Sequence, residues 1–249
     1  MKILVVGGGG REHAIVWKIA QSPKVDKIYC APGNGGIAEL AECVDIAATD
    51  IENMVKFAKD NAIDLVMVAP DDPLVLGMVD AMEKEGIRAF GPRANAAIIE
   101  GSKAFSKELM KKYNIPTANY EVFTDSTSAI DYIKAQNTFP TVIKADGLAL
   151  GKGVIIAQNL EEAEQAVHEM IDDGKFGKSG SRVVIEEFLT GPEVSVLAFT
   201  DGKTVKPMVS AQDHKRAYDN DEGLNTGGMG TFSPSRLYDD AKAEECMKN

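Results

Sequence analysis

Ile3 to Val6 is an unbroken apolar run that leads straight into four consecutive glycines, Gly7 to Gly10. Beyond them, Glu12 to Gln21 places Ala14, Ile15, Trp17, Lys18 and Ile19 at helical spacing. A short strand with apolar side chains on both faces must be covered on both faces, as parallel strands flanked by helices are. The alternation continues. Lys27 to Ala31 predicts a second strand, Ile51 to Asn61 a helix, Leu65 to Ala69 a further buried strand, Leu74 to Glu85 a helix stopped by Gly86, and Arg88 to Phe90 a closing strand. This order predicts an α/β fold, a doubly wound parallel sheet over residues 1–101. Ligands of such sheets sit at the carboxyl ends of the strands. The candidate loops are therefore Gly7 to Glu12 and Ala69-Pro70-Asp71-Asp72-Pro73.

From Gly91-Pro92 the pattern changes. Lys103 to Tyr113 reads as a helix within a connecting segment, 102–120. There follow a strand (Asn119 to Phe123), a helix opened by Asp125 or Ser126 (Ile130 to Gln136) and a strand (Thr141 to Ala145). After a glycine loop come a strand (Val154 to Ala157), a helix (Leu160 to Asp172) and a strand (Val183 to Glu187). That is a compact α+β unit over 121–190. Glu193 to Thr200 and Thr204 to Val209 flank Asp201-Gly202, a hairpin signal that opens a last unit, 191–249.

Composition limits the partners. Among 249 residues, 27 basic against 38 acidic side chains give a formal charge of −11, which argues against a broad grip on nucleic acid. Cys30, Cys43 and Cys246 are few and lack a Cys-x-x-Cys spacing, and His13, His168 and His214 are isolated. A disulfide scaffold and a His/Cys metal cluster are both unexpected. With no leader-like start and no uncharged run of membrane length, a cytoplasmic protein that contacts no membrane is expected.

The glycine loops carry the chemistry. A dinucleotide fingerprint needs Gly-x-Gly-x-x-Gly and an acid closing the second strand; here Glu12 takes the third position and the strand ends Cys30-Ala31-Pro32. What survives is a helix N-terminus with open N–H groups beside Arg11, suited to a phosphate, or a plain tight turn. The second loop, Gly147 to Gly153 with Lys152, misses the Walker A spacing by one residue and is followed by a strand. As a hairpin it can fold N–H groups and a cation over a triphosphate, with Lys144 on the incoming strand. Glu186 and Glu187 end a strand and must point to opposite faces. The backbone crossing over at Phe188 and Leu189 suits an adenine edge, and Glu193 suits ribose hydroxyls, although two glutamates at a strand end can simply be solvated. Asp213-His214-Lys215-Arg216 is a charge run, and Asn225-Thr226-Gly227-Gly228-Met229-Gly230 is a third glycine cluster able to offer N–H groups to an anion.

The stretches GGGGREHA, APGNGG, PDDPL, GSKAF, VIKADGLALGKGV, VIEEFL, QDHKR and NTGGMG together resemble, in order, the ATP-grasp ligases, and within them the phosphoribosylamine–glycine ligases of purine biosynthesis. The resemblance implies an ATP-grasp fold for the second part of the chain. It also implies an ADP-forming carbon–nitrogen ligase reaction. ATP phosphorylates glycine, and the amine of 5-phosphoribosylamine attacks the acyl phosphate to give glycinamide ribonucleotide.

Carried over by motif, Lys103, Lys144, Gly151, Lys152, Gly153, Glu186, Glu187, Phe188, Leu189, Glu193, Arg216 and Asn225 would bind ATP. Lys144, Asp213 and Arg216 would be catalytic, Asp213 toward the glycine ammonium. Gly8, Gly9, Gly10, Arg11, Glu12, Asp71, Asp213, Thr226, Gly227, Gly228 and Met229 would bind the other substrates. Asp71 stands where the family has glutamate, so Asp72 is an alternative there, and Leu150 stands where a smaller residue is usual.

Mg2+ (or Mn2+) is implied as the metal, with ligands in a segment beyond Asn249, so none is assigned in this chain. The expectation is of an ATP-grasp domain incomplete at its C-terminus, inactive alone, in a monomer. Another ATP-grasp ligase of purine synthesis, a non-catalytic nucleotide-binding module and an NAD-dependent oxidoreductase remain the competing readings.

Overall fold

The structure, a computed structural model, describes residues 1–148 and 153–248, with the backbone alone of Lys178, Asp221, Leu224 and Asn225. Its first elements are β1 (Lys2–Gly7), α1 (Gly10–Ile19), β2 (Lys27–Pro32), β3 (Glu42–Cys43), α2 (Ile51–Asp60), β4 (Leu65–Val68), α3 (Asp71–Val75), α4 (Met78–Lys84) and β5 (Ala89–Phe90). The strands form one parallel sheet in the order β3-β2-β1-β4-β5. β1 is central, with Leu4 opposite Tyr29 on one side and Val66 on the other. Its alternating side chains feed two cores. Leu4 and Val6 pack with Met54, Met78 and Met82 from α2 and α4, while Ile3 and Val5 pack with Val16 of α1 and with Ile37. The apolar run thus does what its lack of polar residues requires.

Two local features depart from the periodicity. The helix expected over Leu74 to Glu85 is two helices, because Gly77 adopts φ +90 between them, a left-handed conformation that glycine tolerates without steric cost. β3 was not anticipated; it is a two-residue edge strand held by pairing with β2 rather than by its own pattern.

The next elements are α5 (Ala94–Gly101), α6 (Lys103–Tyr113), β6 (Tyr120–Phe123), α7 (Ser126–Gln136), β7 (Thr141–Ala145), β8 (Val154–Ala157), α8 (Leu160–Ile171) and β9 (Val183–Glu187). Here the sheet is antiparallel, ordered β6-β9-β7-β8. Ala129, Ile130 and Ile133 of α7 and Ala163, Ala166, Val167 and Met170 of α8 bury one face, formed by Ile143, Ala145, Val183 and Ile185. The helices start where capping chemistry places them. Asp125 Oδ1 accepts the Ser128 N–H at 2.8 Å, and Asn159 Oδ1 accepts the Glu162 N–H at 3.0 Å. The opposite face of the sheet carries Val142, Lys144, Val184 and Glu186 by simple alternation.

Last come β10 (Ala198–Thr200), β11 (Val205–Pro207), β12 (Gln212–Tyr218), β13 (Glu222–Phe232) and α9 (Asp240–Lys248). β10 and β11 form the expected hairpin in shorter form. β12 and β13 pair antiparallel, so the third glycine cluster lies within a strand and not in a free loop. The ladder is irregular there. His214 pairs with Gly230 and Arg216 with Asn225, which leaves Thr226 to Met229 bulging opposite Lys215.

Candidate functional site

In the doubly wound sheet the strand order reverses about β1, so the crevice lies at the carboxyl ends of β1 and β4. The Gly7 to Glu12 loop and Asp71, the first residue of α3, are both there. Gly8 must be glycine, since a Cβ would sit 2.6 Å from the Gly33 carbonyl oxygen, whereas a Cβ added at Gly10 would meet nothing within 4 Å among the described residues. The Asn34 amide donates to Gly8 O at 2.8 Å and its oxygen accepts from Ile37 N at 2.9 Å, so APGNGG anchors this loop.

Glu12 turns back on its own helix. It is 5% exposed and Oε2 accepts the Gly9 N–H at 2.5 Å, a capping interaction. One N–H of the loop is thereby satisfied within the chain. Gly9, Gly10 and Arg11 remain exposed at the rim.

A second group forms where α6 meets the β7–β9 pair. Lys103 Nζ donates to Gly147 O at 3.1 Å at the base of the glycine hairpin. Lys144 Nζ donates to Glu186 Oε2 at 3.0 Å. Burial, opposed by Asp146 and Glu100 and reinforced by Lys144, holds the Lys103 ammonium below the ordinary lysine value. Alternation sends Glu187 to the other side, where Oε2 accepts from Asn119 Nδ2 at 3.0 Å. Phe188 and Glu187 line a cavity of about 440 Å3 with Tyr132, Phe139, Thr141 and Ile185. Leu189 is exposed. Gly153 closes the hairpin, its carbonyl accepting the Ala145 N–H at 2.8 Å. Leu150, Gly151 and Lys152 lie outside the described residues.

The third group is on β12 and β13. Lys215 Nζ donates to Glu193 Oε2 at 2.7 Å and to Asp213 Oδ1 at 3.2 Å, which raises its pKa, chiefly through Glu193. Arg216 Nη1 donates to Gly223 O at 2.7 Å. The bulge is stitched by Thr226, whose hydroxyl donates to Lys215 O at 2.8 Å and accepts from Gly228 N at 3.1 Å. Gly227 and Met229 are exposed on it. Asn225 is described by its backbone alone, opposite Arg216.

The structure thus brings together Lys103, Lys144 and Glu186, and separately Glu193 with Asp213 through Lys215. Sequence reading missed the residues that hold these groups. Asp146 is buried and accepts from Ser102 Oγ at 2.9 Å, Ala104 N at 2.7 Å and Arg182 Nη2 at 2.5 Å, tying the start of α6 to the sheet. The signal was present in the quoted GSKAF and VIKADG stretches, but their mutual contact is tertiary. Lys107, also buried, reaches Glu186 Oε2 at 3.0 Å. Among the described residues no three His, Cys, Asp or Glu side chains converge as a metal site. No described helix is long and apolar enough to cross a membrane.

The chain was also compared as a whole with known proteins. Residues 1–100 match the model of the phosphoribosylglycinamide synthetase N domain, and residues 101–249 match that of its ATP-grasp (A) domain. The phosphoribosylamine–glycine ligase of Halalkalibacterium halodurans is 53% identical over 247 residues, 99% of this chain and 58% of that protein. That of Pasteurella multocida is 54% identical over 250 residues, again 58% of its length. The crystal structure of phosphoribosylamine–glycine ligase from Thermotoga maritima superposes with a TM-score of 0.81 at 32% identity, covering 98% of this chain and 59% of that one. The biotin carboxylase domain of Hydrogenobacter thermophilus 2-oxoglutarate carboxylase, solved with MgADP, shares the fold at 17% identity, with a TM-score of 0.79 over 98% of this chain and 55% of that one. The chain spans somewhat under three-fifths of these relatives. Matched in order by both models of one family, and identical to curated members at about half its positions, the chain belongs to the phosphoribosylglycinamide synthetase family.

Proposed function

We propose that the protein carrying this chain is an ADP-forming carbon–nitrogen ligase that joins glycine to 5-phosphoribosylamine. A carboxylate is a poor electrophile until one oxygen becomes a phosphate leaving group. The γ-phosphoryl of ATP is transferred to the glycine carboxylate, and ADP leaves. The phosphoribosylamine nitrogen then attacks the glycyl carbonyl, expelling phosphate and losing a proton, to give glycinamide ribonucleotide. ATP is used as its magnesium or manganese complex.

The observation that carries this reading is the pair of lysines, Lys103 and Lys144, converging at the base of a glycine hairpin in a chain of this family. Lys103, Lys144, Lys152 and the N–H groups of Gly151 and Gly153 hold the polyphosphate. The Glu186 to Leu189 segment holds adenine and Glu193 the ribose. Arg216 and Asn225 lie by the phosphates, where Arg216 and Lys144 stabilise the charge that grows on the transferred phosphoryl. Asp213 takes the glycine ammonium beside the Thr226 to Met229 bulge. Gly8 to Glu12 with Asp71 takes the phosphoribosylamine phosphate and ribose at the switch point of the parallel sheet. The protein acts as a cytoplasmic monomer on small molecules, with neither nucleic acid nor membrane as partner.

The test uses the full-length protein, in which ADP release should require both glycine and phosphoribosylamine. Arg11→Ala should raise the KM for phosphoribosylamine about tenfold, as expected for loss of one charge-assisted contact, and leave that for ATP nearly unchanged. A change confined to ATP would overturn the assignment of the loop. ADP release that follows another carboxylate and amine would overturn the substrates.

A further inference from the structure

Lys107, one turn into α6, belongs to none of the motifs that drew attention in the sequence. Its side chain is only 9% exposed, and Nζ lies 2.7 Å from Thr117 Oγ1 and 3.0 Å from Glu186 Oε2. The same Glu186 oxygen accepts from Lys144 Nζ, also at 3.0 Å. One carboxylate, itself 5% exposed, is therefore shared by two ammonium groups where water screens poorly, and its second oxygen, Oε1, is buried without a partner among the described residues. Of the two lysines, Lys144 is the more exposed at 26%, so it is the one able to leave. If Lys144 moves to a phosphate while Lys107 stays, Glu186 keeps a counter-charge. Without Lys107 the same movement strands a buried carboxylate, which is strongly unfavourable. The three charges sum to +1 with Lys107 and to zero without it, so Lys107 also keeps this face attractive to a polyanion.

We propose that Lys107 is a positioning residue for the nucleotide site: by neutralising Glu186 from behind, it releases Lys144 to bind the polyphosphate. The inference rests on the nucleotide reading given above and deepens it. It calls for no purine contact, so inorganic tripolyphosphate is a probe that isolates it from whatever Glu186 does toward adenine.

In calorimetry on the full-length protein at low ionic strength, Lys107→Met should weaken tripolyphosphate and ATP binding about tenfold, the size of coupling usual between contacting charges. Lys107→Arg should keep wild-type affinity. In Lys107→Met/Glu186→Gln no carboxylate holds Lys144 back, and tripolyphosphate affinity should return to near the wild-type value. A purely structural Lys107 would not be rescued by removing its partner, so equal losses in the single and double variants would overturn the proposal, as would wild-type affinity in Lys107→Met. Should Lys107→Met fold poorly, Glu186→Gln alone decides: it should tighten tripolyphosphate binding, and unchanged affinity overturns the idea. A wild-type protein that binds neither ATP nor tripolyphosphate would instead overturn the nucleotide reading itself.

Discussion

Gly8 and Gly10 belong to one run of identical residues but answer to different demands. At Gly8 the Gly33 backbone stands where a Cβ would go, while Gly10 opens α1 with free space around it. Gly8→Ala should therefore cost about 1–3 kcal/mol, as overpacking against an unyielding neighbour does, and Gly10→Ala should be neutral or stabilising by up to about 1 kcal/mol. Urea unfolding of the two variants separates them. The run of glycines was readable in the sequence, but the reason for each was not, because it depends on a carbonyl from another loop. Lys103 supplies a second case. Burial lowers its pKa, and only the ammonium binds phosphate, so ATP affinity should decline with rising pH earlier than an exposed lysine would dictate. Lys103→Arg, always charged, should lose that decline in a pH series of ATP binding. The sign for stability is opposite: where the unfolded chain holds the proton and the folded one does not, this residue's contribution to stability grows with pH.

At the scale of elements, the sequence was informative wherever a period and a cap coincide. The bounds of α6, β7, β8 and β9 follow directly from apolar spacing and flanking residues, and Asp125 marks the start of α7 as expected. It was uninformative where an element exists only through its partner. β12 is polar from Gln212 to Arg216 and β13 is rich in glycine, so neither has a clear strand pattern, and their pairing emerges from the ladder itself. The same holds for the joint between α6 and the sheet. Asp146 satisfies donors from Ser102, Ala104 and Arg182 at once, a convergence no local pattern reveals. Asp146→Ala should leave those donors unpaired and cost about 1–3 kcal/mol, with the position of Lys103 disturbed because its two neighbours, Ser102 and Ala104, lose the carboxylate that holds them. Thermal unfolding reads the first effect and the KM for ATP the second; an unchanged melting temperature would count against the joint.

Across the molecule the three core clusters draw their buried members from Ile3 to Ile185. Beyond Glu186, Leu197, Phe199, Val205, Met208 and Val209 are exposed, and the buried side chains described are the polar Ser210 and Ser235. Local stability follows buried apolar contact, and backbone hydrogen bonds in a two-stranded sheet without a covered face open at little cost. Limited proteolysis of the 249-residue chain should therefore cut first between about residue 190 and residue 239, as buried apolar contact is thinnest there, and leave a product that retains both lysines of the phosphate cluster. Mass spectrometry of the early fragments locates the cuts. First cleavage within β1 to β9 would mean that stability is distributed otherwise than burial indicates. Cys30 offers an internal check on the same digest, since its buried thiol, pushed up to about 12 mainly by desolvation, should resist alkylation while the exposed Cys43 and Cys246 react. A product in which Cys30 stays unmodified after cleavage retains the folded parallel sheet, so the two measurements together tell an opened C-terminal part from global unfolding.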